Sequence, residues 1–337
     1  MTWEEAVLRF ARDPRCSDVH LQAGHALAVR MLGGIEQHPD CPVSDAWLDR
    51  FEADRLTPDL HQRYHERGDV DLSFTLEGLR FRANLARAEG GRMLALRKLA
   101  SEIPSAESLG LPAALLAACG LKQGLVLVTG PTGSGKSTTL AALLARINQI
   151  RRQHILTLED PIEYLHSSTQ SVVHQREIGR DAESFAQGLR AALREDPDII
   201  LLGEMRDLES IALALTAAET GHLVLATLHT QGAASTIHRL VDVFPAAQQG
   251  QIRAQLAQTL ALVATQELLP RADGSGRVAA FEVLVANAAV RNLIRENQIH
   301  QIDSVIQTSR AESMQTVEAA REALRASGVI QASLSLD

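Results

Sequence analysis

The chain has 337 residues, 45% of them hydrophobic, with a formal net charge of −8. That length suits two domains with sizeable cores, and the apolar content is that of a globular protein. The acidic balance, with seven Phe, two Trp and two Tyr, argues against a broad nucleic-acid surface or a base-stacking platform.

In chain order, Thr2-x-x-Glu5 forms a capping box for a helix reaching Ala11, which Asp13-Pro14 ends. Residues 17–22 alternate as a strand, 27–32 alternate less cleanly, and Gly33-Gly34 turns the chain. Ser44 can cap a helix carrying Trp47, Leu48 and Phe51, and Pro58 starts a short one. Strand patterns at 70–76, 79–85 and 92–99 are separated by Glu77-Gly78 and Glu89-Gly90-Gly91. Sequential strands with short turns make an antiparallel sheet, so residues 1–100 read as a small α+β domain. A stretch with two prolines, two glutamates and three serines follows and reads as a linker.

Strands then alternate with helices. Strands are expected at 125–129, 154–158, 198–202 and 222–228, and helices near 137–149, 182–195, 207–219 and 233–242. That order predicts an α/β domain with a mostly parallel sheet covered on both faces. Asp273-Gly274-Ser275-Gly276 turns a hairpin between 263–268 and 278–285, and the rest is a helical tail. No apolar run approaches the ~20 residues of a membrane helix. Met1-Thr2-Trp3-Glu4-Glu5 lacks the basic and apolar parts of a signal peptide, so a cytoplasmic protein is expected. Cys16, Cys41 and Cys119 are widely spaced and expected to be reduced.

Gly130-Pro131-Thr132-Gly133-Ser134-Gly135-Lys136-Ser137 is an uninterrupted G-x-x-x-x-G-K-S phosphate loop, followed by Thr138. Its glycines let backbone N–H groups turn toward a polyphosphate, and Lys136 brings charge to the outer phosphates. The Ser137 hydroxyl is a ligand type suited to Mg²⁺. Residues 198–204 form an apolar strand ending in Glu204, the shape that sets an acid beside the metal. Glu159-Asp160-Pro161-Ile162-Glu163 places three carboxylates after a neighbouring strand. His229 follows the strand 222–228, where a γ-phosphate can be sensed. His222 and His229 point to opposite faces of a regular strand and make a poor metal pair. Arg80, Arg82, Arg87, Arg92 and Arg97 cluster in the first domain, and phosphoryl transfer builds charge that such arginines neutralise. Residues 290–296 are amphipathic, with Val290, Leu293 and Ile294 on one face, as in a packed tail helix.

Together these stretches resemble the retraction ATPases of type IV pili, the PilT-like branch of the secretion-type ATPase superfamily. The resemblance is carried by Ser17-Asp18-Val19-His20-Leu21, Arg80-Phe81-Arg82-Ala83-Asn84, the loop 130–137, the acidic box 159–163 and Gln175-Arg176-Glu177. It continues through 193–207, the histidine box 220–230 and Met314-Gln315-Thr316. The segment 289–296 resembles a retraction-associated motif, with Val290 where the family usually has isoleucine.

The resemblance implies a PAS-like domain at 1–100, a linker at 101–111, and a RecA-like ATPase domain with helical tail at 112–337. It implies Mg²⁺-dependent ATP hydrolysis by a homohexameric ring at the cytoplasmic face of the inner membrane. The partner implied is the pilus platform protein, with nucleotide between the two domains. Glu163 and Glu204 match the family's essential acids, His229 its histidine, and Arg82 and Arg97 its first-domain arginines. Pilus-assembly and type II secretion relatives carry paired C-x-x-C ligands that this chain lacks, which favours retraction. The alternatives are an accessory paralogue assisting a sister motor, or an assembly or secretion ATPase.

Overall fold

The computed structural model describes residues 1–99 and 102–331. Ala100 and Ser101, where the expected boundary between domain and linker falls, lie outside the described residues. The chain divides into two compact units. The first comprises Met1–Glu102, Asp160–Leu165 and Glu177–Glu183, so it recruits two segments from late in the sequence. The second comprises Ile103–Glu159, His166–Arg176 and Ser184–Asp337.

The first unit runs α1 (Trp3–Ala11), β1 (Cys16–Gln22), β2 (Ala26–Met31), β3 (Gly34–Pro42), α2 (Asp45–Arg55), α3 (Pro58–Arg67), β4 (Asp69–Leu76), β5 (Leu79–Ala88) and β6 (Gly91–Lys98). Its antiparallel sheet has the order β3-β2-β1-β6-β5-β4. The capping box forms as expected: Thr2 accepts from the Glu5 N–H, and the Glu5 carboxylate accepts from the Thr2 N–H at 2.8 Å. Alternation puts Phe81, Ala83 and Leu85 of β5 and Leu94 and Leu96 of β6 into the core. There Trp3 meets Phe51 edge-on at 5.2 Å and Phe74 at 6.0 Å, geometry that aromatic quadrupoles favour. The strand β3 carries no clean alternation because it is an edge strand, exposed along most of its length.

Two arginines of the cluster are structural. Arg92 binds the carboxylates of Asp45, Asp49 and Glu52. Arg80 is 9% exposed and Glu177 is 3% exposed. The Glu177 carboxylate accepts hydrogen bonds from the Ser73 hydroxyl and, at 3.0 Å, the Ile162 N–H. The Arg80 guanidinium lies 3.7 Å from it and also donates to Ser73 Oγ and the Ile162 carbonyl. Removing one member of a buried pair strands the other's charge. Glu177→Ala is therefore expected to cost about 3 kcal/mol in urea unfolding. Exposed Arg97→Ala is expected to cost less than about 1 kcal/mol in the same measurement.

The second unit runs α4 (Ala113–Ala118), β7 (Gly124–Thr129), α5 (Lys136–Ile150), β8 (His154–Glu159), β9 (Val172–Glu177), α6 (Phe185–Ala192), β10 (Ile199–Leu202), α7 (Leu208–Glu219) and β11 (Leu223–Leu228). It continues with α8 (Ala233–Asp242), α9 (Ala246–Thr259), β12 (Leu260–Pro270), β13 (Arg277–Val285), α10 (Ala288–Arg295), α11 (Ile302–Thr308) and α12 (Val317–Ala326). The sheet order is β13-β12-β7-β11-β10-β8-β9. The pairs from β12 through β8 are parallel, and β13 closes the edge antiparallel to β12. Every residue of β7, β10 and β11 is buried, as strands covered on both faces require.

The expected helices and strands of the alternating region are present, with ends displaced by a few residues. In the tail, Val290 and Ile294 of α10 are buried. Arg291 donates to the carbonyls of Ala257 and Gln258 at 2.6 and 2.8 Å. These are among the last carbonyls of α9, which lack partners within that helix. Among the described residues no helix is long and apolar enough to cross a membrane.

Candidate nucleotide site

Strand register brings the chemistry to one edge. Thr129, the last residue of β7, pairs with Leu228 of β11, and Leu202 of β10 pairs with Ala226 of β11 and Leu158 of β8. The phosphate loop, His229, Glu204 and Glu159 thus all leave the sheet at its carboxyl edge, where open α/β sheets bind ligands.

The loop turns through Gly130, Gly133 and Gly135 at φ 139°, 79° and 88°. A Cβ on Gly130 would sit 2.2 Å from the Gln266 carbonyl oxygen, and one on Gly135 would sit 2.9 Å from Gln266 Nε2. Gln266 is 3% exposed, and its Oε1 accepts from Thr139 Oγ1 of α5 at 2.7 Å. Beneath the loop, Thr129 and Thr265 share a hydroxyl hydrogen bond of 2.9 Å. Gln266 and Thr265 thus brace the loop from β12. The signal that could have found them is the polar trio Thr265-Gln266-Glu267 inside the otherwise apolar run 260–269.

Lys136 is 7% exposed, and its Nζ donates to the Gly130 and Pro131 carbonyls at 2.9 Å each. Nζ also lies 3.4 Å from His229 Nδ1, as does Thr132 Oγ1. On its other side, His229 Nε2 lies 3.1 Å from Glu204 Oε1. Nε2 faces a carboxylate and Nδ1 faces donors, so the ring carries its proton on Nε2. Glu204 Oε2 receives Arg206 Nε at 2.8 Å. The backbone fixes Glu204 from both flanks: the Gly203 N–H donates to Leu158 O at 2.8 Å, and the Met205 N–H donates to Thr227 O at 3.1 Å.

Among the other expected site residues, Ser137 is exposed on the first turn of α5, and Thr138 follows half-buried. Ser134 is buried, and its hydroxyl has no partner among the described residues. Glu159 Oε1 accepts from Thr157 at 2.6 Å and from Gln175 Nε2 at 3.0 Å. Burial pushes the nearby His166 imidazole down to about 4, so the ring is neutral near pH 7. Glu163 lies in the first unit, on the segment Asp160–Leu165, as do Arg82 and Arg97. Arg82 and Arg97 are direct cross-strand partners on the sheet face opposite the core. Like charges so placed repel. Arg82 has Asp71 at 3.7 Å, and Arg97 has Asp18 at 2.9 Å. Burial opposes ionisation of Asp18, but Arg97 and then Ser17 hold its carboxyl below the usual range.

These residues fit the phosphates of a nucleotide. Two loop glycines leave no room for a Cβ, α5 starts at Gly135 with no side-chain cap, and a buried lysine points onto the loop's own carbonyls. An uncapped helix N-terminus under a glycine loop is an anion site. Fold and loop together define a phosphate-loop protein with a RecA-like core. The chain belongs to the type II/IV secretion system protein family, which matches residues 5–275.

It is 52% identical over 273 residues to the twitching motility protein of Neisseria gonorrhoeae, covering 80% of this chain and 73% of that one. It is 45% identical over 325 residues to the type IV pilus retraction ATPase PilT of Pseudomonas aeruginosa, covering 96% and 94%. The crystal structure of the pilus retraction motor PilT with bound ADP superimposes with a TM-score of 0.90 at 46% identity, covering 98% of this chain and 95% of that one.

Proposed function

We propose that this protein hydrolyses ATP with Mg²⁺ to drive retraction of type IV pili. It would act as a homohexameric ring at the cytoplasmic face of the inner membrane, on the pilus platform protein. The observation that carries this reading is the convergence of Lys136, His229 and Glu204 at the phosphate loop, in a chain similar to PilT along nearly its whole length.

The residues divide the work as follows. Backbone N–H groups of Thr132, Gly133 and Gly135 and the Lys136 ammonium hold the phosphates, with Ser137 and Thr138 at the start of α5. Ser137 Oγ and, partly through water, Glu204 would hold Mg²⁺, which supplies charge neutralisation at the transferring phosphoryl group. Glu204 takes the proton of the attacking water. His229 connects that acid to Lys136, so one ring touches both the group that holds phosphate and the group that accepts the proton. Glu163 supports, and Arg82 and Arg97 supply positive charge for phosphoryl transfer.

A deletion strain complemented with wild type or Lys136→Ala tests the reading. Surplus pili that do not retract, with twitching lost, are expected for Lys136→Ala and restored retraction for wild type. Absent pili would instead indicate an assembly motor.

A further inference from the structure

Helix α8 begins four residues after His229, and its N-cap, Gly232 at φ 96°, has no side chain to close the first turn. The neighbouring α7 is closed by its own Asp207, which accepts from the Ser210 N–H at 2.8 Å. For α8 the cap comes from another strand: Glu282 Oε1 of β13 accepts from the Ala233 N–H at 2.7 Å. A carboxylate there satisfies an otherwise unpartnered donor and meets the positive end of the helix.

Register extends this contact toward the phosphate loop. Glu282 is the cross-strand partner of Thr265, and Thr265 is the partner of Thr129, the residue before Gly130. Directly paired residues share a face, so Thr129, Thr265 and Glu282 form one polar row, joined by the 2.9 Å hydroxyl bond between the threonines. One end of the row roots the phosphate loop, and the other holds the first turn of α8. The strap 230–232 joins His229 to that turn. Thr230 Oγ1 bonds Thr236 Oγ1 of α8 at 2.6 Å, so strap and helix are fixed to each other.

We propose that Glu282 is a positioning residue for ATP hydrolysis: by closing the first turn of α8 it sets where the strap carries His229 between Glu204 and Lys136. The inference rests on the ATPase reading above. Burial raises the Glu282 carboxyl's affinity for its proton, the Ala233 N–H opposes this, and Asp303 of α11 and Glu318 of α12 add to the rise. The ionised cap is therefore lost, as pH falls, earlier than for an exposed glutamate.

The test uses the full-length protein. Glu282→Ala is expected to lower kcat about 10-fold, with KM for ATP within about twofold. Glu282→Gln, which keeps an oxygen for the Ala233 N–H, is expected within about twofold of wild type at pH 8. An independent readout is the His229 ring resonance in ¹³C-histidine-labelled protein without nucleotide, assigned with His229→Gln. It should shift in Glu282→Ala and stay in place in Glu282→Gln. A resonance unmoved in Glu282→Ala, or a kcat of Glu282→Ala within twofold of wild type, would each overturn the proposal. If wild type hydrolysed no ATP, the ATPase reading would fall, and the resonance would still decide the role of Glu282.

Discussion

Glu204→Gln is expected to lower kcat for ATP hydrolysis about 1,000-fold, the scale of a lost general base, with ADP affinity within about threefold of wild type. Glutamine keeps the side chain's shape, and the flanking bonds from Gly203 to Leu158 and from Met205 to Thr227 involve only backbone, so position is preserved. What disappears is the ability to take a proton. The charged contact with Arg206 and the carboxylate acceptor for His229 Nε2 go with it. Steady-state turnover and binding of a fluorescent ADP analogue separate these effects. The competing assignment gives the opposite pattern: if Glu163→Gln were inactive and Glu204→Gln retained turnover, with binding intact in both, the base would be Glu163.

Gly130→Ala is expected to abolish ADP binding and to destabilise the protein by about 4 kcal/mol, combining backbone strain with overpacking. The reason is local and steric. The residue sits at φ 139°, and the added Cβ would lie 2.2 Å from the Gln266 carbonyl oxygen and 2.8 Å from Ser134 Oγ. The first obstacle is backbone of the adjacent strand β12, so relief requires moving the β7–β12 pairing itself. Gly133 belongs to the same motif and also has positive φ, 79°, yet nothing lies within 4 Å of its Cβ position. Gly133→Ala should therefore cost only the conformational penalty of about 1–2 kcal/mol. Equal losses for the two variants in thermal unfolding would show that close approach by Gln266 is not what demands glycine at 130.

The same contrast shows which features were legible in the chain and which were not. The helix α9 was missed because Ala246-Ala247-Gln248-Gln249-Gly250-Gln251 carries little apolar periodicity. The strand β9 was missed because Val172-Val173-His174-Gln175-Arg176-Glu177 is mostly polar and mostly unburied. Arg80 and Arg82 have the same parity on β5 and share a face. Nothing in that pattern says that Arg80 is the one covered. It is buried because Ile162 and Glu177, more than 80 residues away, are brought over it within the first unit.

By itself the sequence determined whatever depends on neighbours along the chain. The phosphate loop, the Thr2–Glu5 capping box, the hairpin at 273–276 and the strand–helix alternation are of this kind, because backbone dihedrals and capping act within a few residues. The acids and the histidine were legible as candidates because each follows an apolar run. Only the tertiary structure decided that His229 meets both Glu204 and Lys136. It alone placed Gln266 under the loop and Glu282 on the first turn of α8. These contacts are set by which strands lie side by side and in what register, and a shift of one residue would turn each side chain to the other face of the sheet.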